Sequence, residues 1–312
     1  MKIVIALGGN ALLKKGQPLD IEIQQQNISR AARLIAEVAK QHSVIITHGN
    51  GPQVGLLALQ AESYKQANPI PLDILDAESE GMLGYQIEQE LMNQLPEKPV
   101  ASLLTQVLVD ANDPAFNHPT KPIGPVYPES DPQQMKDKTT WTYTRVNEGL
   151  RRVVPSPEPK QILELVAIKI LMKNNVIVIC AGGGGIPIIR DQNGFLKGVE
   201  AVIDKDLSSA LLARELNADM LLLLTDIDAV YKDWPSTNAE PIRQATVSAL
   251  RSLKFESGSM APKVEAACRF VEKTGRDAYI GQLEDLQKIL AGDRGTKITN
   301  LDKNPSVRQV KV

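Results

Sequence analysis

The sequence predicts an α/β fold, with a central, mostly parallel sheet covered by helices on both faces. Three observations carry that prediction. Short apolar runs alternate with amphipathic stretches along most of the 312 residues, the rhythm of repeated βαβ crossovers. The runs are nearly all-apolar, as strands buried on both faces should be. Glycine clusters follow three of them, at the strand ends where ligands bind in an open α/β sheet.

The first strand is Ile3–Leu7. The opening MKIVIALGGN has one lysine and a short apolar run, superficially like a secretory leader. Gly8-Gly9-Asn10 breaks that run, and Lys14-Lys15 follow where a small-residue cleavage site would stand, so it reads as a buried strand. Ala31, Leu34, Ile35 and Val38 then fall at helical spacing on one face. Val44–Thr47 is the second strand and runs into Gly49-Asn50-Gly51-Pro52-Gln53. Val100–Gln106 reads as the third. Asp110 to Pro159 departs from the pattern: nine prolines and no long apolar helix, too long a stretch for a passive connection. Read alone, it is either a surface insertion or an excursion that folds over a site as a lid.

The regular rhythm then resumes. Val176–Ala181 is a strand ending in Gly182-Gly183-Gly184-Gly185, followed by a helical face that begins Leu207, Ala210, Leu211. Leu221–Thr225 and Ala278–Ile280 are the last strands, separated by the helical set Val264, Ala267, Cys268 and Val271. From Asn300 onward the chain is polar and reads as a loose tail or a terminal strand.

Composition excludes several classes. Thirty-five basic against 37 acidic residues leave a net charge of −2, so no global field draws nucleic acid or a membrane surface. Aromatic residues at 4% are too sparse for base-stacking platforms. Cys180 and Cys268, with His42, His48 and His118, form no zinc spacing and no disulfide scaffold, which makes a reducing cytoplasm the simpler location. The richest apolar stretch, Val176–Ile189, is shorter than a membrane span and has glycine in its middle.

The chemistry therefore rests on backbone amides, lysines and carboxylates. Three glycine loops after buried strands let N–H groups approach an anion, with helix N-termini adding their dipoles. The usual nucleotide signatures are absent: there is no Gly-Lys dipeptide, and G-x-G-x-x-G is not completed at Val54 or Pro187. H-E-x-x-H, G-x-S-x-G and C-x-x-C are missing too. Asp204-Lys205-Asp206 is either a solvated cluster or a phosphate-facing cation held by an acid at a helix start. Lys263 follows Pro262, which suits a first helical turn, and is either an ordinary surface lysine or a second phosphate contact. Transfer between two anions needs such cations, because repulsion between nucleophile and phosphate must be neutralised.

Taken together, the ordered segments resemble the carbamate kinases of the amino-acid kinase superfamily, from Lys2 to about Ile298. They are ALGGNAL (Ala6–Leu12), THGNGPQVG (Thr47–Gly55), LTQVLVD (Leu104–Asp110), PTKPIGP (Pro119–Pro125), AGGGGIP (Ala181–Pro187), KGVEAVIDKDLSSALLA (Lys197–Ala213), LLTDIDAVY (Leu223–Tyr231) and GSMAPKVEAA (Gly258–Ala267). The resemblance implies a three-layer α/β/α sandwich around an open, mainly parallel eight-stranded sheet with a small protruding subdomain. Residues 1–312 would form one such domain. Residues 1–157 would be the carbamate side, including the subdomain at about 110–158, and residues 158–312 the nucleotide-binding half.

The same resemblance implies reversible phosphoryl transfer between ATP and carbamate, with Mg²⁺ accompanying ATP/ADP and carbamoyl phosphate as the other product. It implies a homodimer working toward ATP in arginine or purine catabolism. Gly8, Gly9, Asn10, Gly49, Asn50 and Gly51, joined by Gly183 and Gly184, would line the substrate site. Lys121 would reach it from the excursion. Lys205 and Lys263 would contact nucleotide phosphates, Asp206 would orient the lysines, and Asp226, Val230, Tyr231 and Met260 would line the nucleotide pocket. Acetylglutamate kinase, aspartokinase and uridylate kinase share a lysine two residues before the first glycine pair. Here that position is Ala6, which leaves Lys121 to supply the charge. After Tyr231 the chain reads Lys232-Asp233-Trp234-Pro235, where relatives commonly have an asparagine and an aromatic residue before glycine.

Overall fold

The computed structural model describes residues 1–13, 17–18, 20–64, 70–128, 141–146, 149–236, 238–255 and 260–300. An eight-stranded sheet is its centre, in the order β15-β17-β16-β12-β1-β2-β9-β3. The strands are β1 (Lys2–Leu7), β2 (Ser43–His48), β3 (Val100–Ser102), β9 (Ile177–Ile179), β12 (Met220–Thr225), β15 (Gln244–Thr246), β16 (Ala278–Gln282) and β17 (Thr296–Thr299). All neighbours run parallel except β16 and β17.

Alternation along each strand sends side chains into two separate cores. Val4, Ala6, Ile45, Val178, Leu221 and Leu223 enter one, packed by α5 (Leu165–Lys173), α6 (Lys205–Glu215) and α8 (Met260–Thr274). Ile3, Ile5, Leu7, Ile46, Ile179 and Leu222 enter the other, against α2 (Ile21–Ala39), α4 (Leu72–Gln94) and α9 (Leu286–Ala291). The predicted helical faces land there: Ala31, Ile35 and Val38 of α2 in the second core, and Val264, Ala267, Cys268 and Val271 of α8 in the first. The three-layer sandwich and its eight-stranded sheet are thus present as expected.

One expectation needs correction, and one region proves more regular than its composition suggests. Val100–Gln106 is not one strand. The chain leaves the large sheet after Ser102, and β4 (Gln106–Leu108) joins a second sheet, ordered β11-β10-β4-β8, with β8 (Gln161–Ile162), β10 (Ile186–Arg190) and β11 (Leu196–Gly198). The corner is made at Thr105, whose N–H donates to Glu80 Oε2 at 3.1 Å and whose hydroxyl donates to the Leu103 carbonyl at 2.8 Å. Local apolar content reads the same on either side of such a corner.

The proline-rich excursion, in turn, does contain regular structure. β5 (Lys121–Tyr127), β6 (Thr142–Val146) and β7 (Gly149–Val154) form an antiparallel sheet in the order β5-β7-β6. Pro122 and Pro125 lie in β5, an edge strand, where a missing N–H need not break a ladder. The sheet is seated on α3 (Gly51–Tyr64) through two glycines: a Cβ at Gly55 would lie 2.2 Å from the Gly124 Cα, and Gly124 has φ +67°. Only glycine on α3 allows so close an approach, which fixes β5, and with it Lys121, against the sandwich. The polar tail from residue 301, Lys14-Lys15 and the loop Gly258-Ser259 lie outside the described residues.

Candidate active site

The three glycine loops meet at the carboxyl ends of β1, β2 and β9. Gly8 N–H donates to the Leu224 carbonyl at 2.9 Å and Gly49 N–H to the Leu7 carbonyl at 3.1 Å, so each loop is held by the strand beside it. A Cβ on Gly8 would lie 2.7 Å from that same Leu224 oxygen, and one on Gly49 would lie 3.2 Å from Gly9 N. Gly9 and Gly51, by contrast, have nothing within 4 Å of where a Cβ would be and leave open space. Asn10 lies in the short helix α1 (Gly9–Leu12), and α3 begins at Gly51, directing the N-terminus of a 14-residue helix at the same place. The third loop is wound as left-handed backbone, with Gly183 at φ +69° and Gly184 at φ +106°. Side chains at these two positions would strike Asn50 and the Ile203 carbonyl.

Three lysines from separate elements converge on two acids beside these loops. Asp204 caps α6, its Oδ1 accepting from Asp206 N–H at 2.9 Å and Leu207 N–H at 3.2 Å. Its Oδ2 takes Lys121 Nζ of β5 at 2.8 Å. Asp206, in the first turn, is bound on one oxygen by Lys205 and on the other by Lys263 of α8 at 3.1 Å. The Lys205 stem passes Gly49, and only 8% of the residue is exposed. Burial opposes ionisation of Asp206, but the two ammonium groups outweigh it and hold the carboxyl well below the usual carboxylate range. Burial pushes the Lys205 ammonium down despite Asp206, whereas Lys263 is raised because Asp206 more than offsets its burial. Three cations against two carboxylates leave one positive charge at the mouth of an amide-lined cleft, suited to several anionic oxygens.

A second group of residues lies past the end of β12. Tyr231 in β13 (Val230–Lys232), Trp234, Phe255 and Met260 line a mainly apolar pocket with Ile227 and Ala229. The Tyr231 and Trp234 rings lie 5.5 Å apart, and the Tyr231 hydroxyl donates to Asp228 Oδ1 at 2.7 Å. Asp226 is exposed next to β12 and accepts from Thr225 Oγ1 at 3.0 Å. Val230 stands apart from the other three expected pocket residues. It is fully buried in the first core with its N–H on Thr296 Oγ1.

Sequence reasoning missed the layer beneath the loops. Asp76, Ser79 and Glu80 of α4 are all buried. Glu80 accepts Gly182 N–H at 2.8 Å and Thr105 N–H at 3.1 Å, tying two strand exits together, and burial raises its carboxyl to about 8. Asn50 Nδ2 donates to Asp76 Oδ1 at 3.0 Å and to Ser79 Oγ at 2.9 Å. His48, fully buried, has its pKa lowered to about 4 by desolvation and stands as neutral imidazole, Nδ1 toward the Gly49 carbonyl at 3.3 Å. A usable signal existed: the polar residues 76, 79 and 80 fall at helical spacing among Leu72, Leu75, Leu83 and Ile87, on the face that α4 buries.

Comparison with known proteins shows the family. Residues 1–282 match the amino acid kinase family. The chain is 52% identical to carbamate kinase of Haemophilus influenzae over 300 residues, 96% of this chain and 97% of that one. It is 52% identical to carbamate kinase of Rhizobium meliloti over 303 residues, 96% and 94%. Among solved structures it resembles carbamate kinase from Giardia lamblia bound to AMP-PNP, with a TM-score of 0.87, 38% identity, and 96% and 98% coverage.

Proposed function

The chain belongs to the amino acid kinase family, and from that premise we infer that it is a carbamate kinase, transferring a phosphoryl group between ATP and carbamate. One observation carries the assignment: Lys121, Lys205 and Lys263, brought from three elements, are poised on Asp204 and Asp206 in front of the glycine loops. Both partners of the reaction are anions, so bringing them together costs electrostatic repulsion, and the transferring group carries charge on its three equatorial oxygens. Cations already assembled and largely desolvated offset that cost without reorganising during the reaction.

No general base is needed, because carbamate is already an anion. Positioning and charge stabilisation supply the catalysis. Gly8, Gly9, Asn10, Gly49, Asn50 and Gly51 hold carbamate and the transferring phosphoryl group, largely through backbone N–H groups, with Gly183 and Gly184 closing one side. Lys121 contacts the oxygens of this group from β5. Lys205 and Lys263 hold nucleotide phosphates, with Asp206 spacing them. The base of the nucleotide lies against Tyr231 and Met260, with Asp226 nearby; the apolar pocket there supports this reading.

Magnesium enters with the nucleotide. Among the described residues no group of three or more His, Cys, Asp or Glu side chains could hold a metal by itself. When bound, it neutralises phosphate charge.

The proposed working direction is toward ATP, in arginine or purine catabolism. We assign the protein to the cytoplasm as a homodimer. Two buried, unpaired cysteines support a reducing compartment, and no described helix is long and apolar enough to cross a membrane. Exposed Val166 and Ile170 on α5 offer apolar surface to a second copy. A light-scattering mass near that of one chain, 34.1 kDa, at micromolar concentration contradicts the dimer. The activity is tested by ATP formation from carbamoyl phosphate, ADP and Mg²⁺, a direction that avoids the unstable carbamate. Rapid ATP production is expected; no ATP above the blank, with ADP still bound, overturns the assignment.

A further inference from the structure

We propose that Asp76, helped by Ser79, is a positioning residue that locks the Asn50 amide so that its Oδ1 receives an N–H of the carbamoyl amino group. The proposal rests on the carbamate kinase reading and adds to it the group that recognises the substrate's nitrogen.

The orientation of the amide follows from hydrogen bonds alone. Ser79 Oγ donates its proton to the Asp76 main-chain carbonyl at 3.0 Å, so toward Asn50 it can only accept. The Asn50 atom 2.9 Å from Ser79 Oγ must therefore be the nitrogen, and its other hydrogen goes to Asp76 Oδ1 at 3.0 Å. Both N–H groups of the amide are thereby committed. Asn50 Oδ1 accepts no hydrogen bond from the described residues and, although the residue is only 2% exposed, keeps some contact with solvent where the unpartnered oxygen Asp76 Oδ2 keeps none. Gly183 leaves room for the whole amide, since a Cβ there would lie 2.2 Å from Asn50 Nδ2 and 2.6 Å from Asn50 Oδ1.

The surrounding chemistry makes an acceptor at this place informative. Carbamoyl phosphate presents oxygens that accept and a single group, NH₂, that donates. Nearly everything else at the cleft donates: three ammonium groups and the N–H groups of the glycine loops. The two carboxylates at its mouth, Asp204 and Asp206, are occupied by lysines. The neutral imidazole of His48 abuts Gly182, whose Cβ would lie 2.5 Å from His48 Nε2, and that nitrogen is sealed from solvent. Among the described side chains, Asn50 Oδ1 is left as the neutral acceptor for an amino group. An analogue with methyl in place of NH₂ gains nothing from it. Burial raises the Asp76 carboxyl well above its ordinary range, and a neutral carboxyl fills the role with its proton on the unpartnered Oδ2, which leaves Oδ1 to accept.

The test compares carbamoyl phosphate with acetyl phosphate, which carries methyl where the substrate carries the amino group. In Asp76→Val, kcat/KM for carbamoyl phosphate with ADP should fall about tenfold or more, the worth of one well-placed hydrogen bond. The inhibition constant of acetyl phosphate and the Kd of ADP should each move by less than about threefold. Asp76→Asn keeps an acceptor at the same place and should restore most of the discrimination, which a merely structural role would not predict. Equal losses for both phosphates, or no loss for either, overturns the proposal. Should Asp76→Val fail to fold, Ser79→Ala removes one of the two locks and is read the same way; an unchanged ratio of the two constants overturns the proposal there too. Wild-type protein that makes no ATP from carbamoyl phosphate refutes instead the assignment of activity, before any variant is needed.

Discussion

Lys263 and Lys121 make the same kind of bond, ammonium to carboxylate, on mountings that differ. Lys263 sits in the first turn of α8, packed on the sandwich, and its side chain and that of Asp206 are 12% and 5% exposed. Lys121 sits at the start of an edge strand in the three-stranded excursion, and its pair with Asp204 is 24% and 19% exposed. The inner pair is part of what holds the fold's charged centre together, since an acid so deeply buried needs both of its cations. The outer pair joins the excursion's sheet to the start of α6 and is the easier one to exchange for a ligand. A site can thus combine a permanent cation cluster with one delivered by a separate element.

Four variants or conditions would break or sharpen this contrast. Asp206→Ala should have the largest effect, removing the partner of two buried ammonium groups at a cost of about 3–5 kcal/mol. Urea denaturation measures it, and a loss under about 1 kcal/mol would place the pair with ordinary surface bridges. Lys121→Ala should lower kcat about 10²–10³-fold, as loss of one charge-stabilising donor does, with the ADP Kd nearly unchanged. Equal losses in turnover and ADP affinity would put Lys121 on the nucleotide side.

The third concerns pH. His48 has a folded pKa near 4 against an ordinary 6.5, so the folded state resists the proton and the unfolded state takes it up. Its contribution is complete above pH 6.5 and is lost as pH falls toward 4, by about 3 kcal/mol in all. Stability profiles between pH 7 and 4 should be flatter for His48→Gln than for wild type, and parallel curves would show that His48 is not the group responsible. The smallest effect is expected of Lys263→Ala, about tenfold weaker ADP binding measured by calorimetry, consistent with Lys205 remaining in place. An unchanged Kd would remove Lys263 from the nucleotide site.

Much of this molecule is legible from local pattern. β1, β2 and β12 are apolar runs whose burial needs no partner to be inferred, and the helical spacing of Val264, Ala267, Cys268 and Val271 names the buried face of α8. The glycine loops and all three lysines stand in recognisable segments. Less legible was whatever depends on a distant neighbour. Thr105 turns the chain because Glu80, 25 residues earlier, meets its N–H. Gly55 matters because Gly124 arrives against it. Asp76 and Ser79 look like ordinary helix polar residues until Asn50 is placed above them.

By itself, the sequence determined the layers and the inventory: which runs become buried strands, which faces the helices hide, and which cations and amides the site would have available. Those properties arise from hydrophobic periodicity and backbone freedom, which act over a few residues. Tertiary structure alone decided who meets whom, namely that Lys121 closes on Asp204, that Asp206 is shared by Lys205 and Lys263, and that Asn50 is turned by Asp76. A hydrogen bond or ion pair requires its atoms within about 3 Å, and only the packed sheet brings residues 26 to 83 positions apart to that distance.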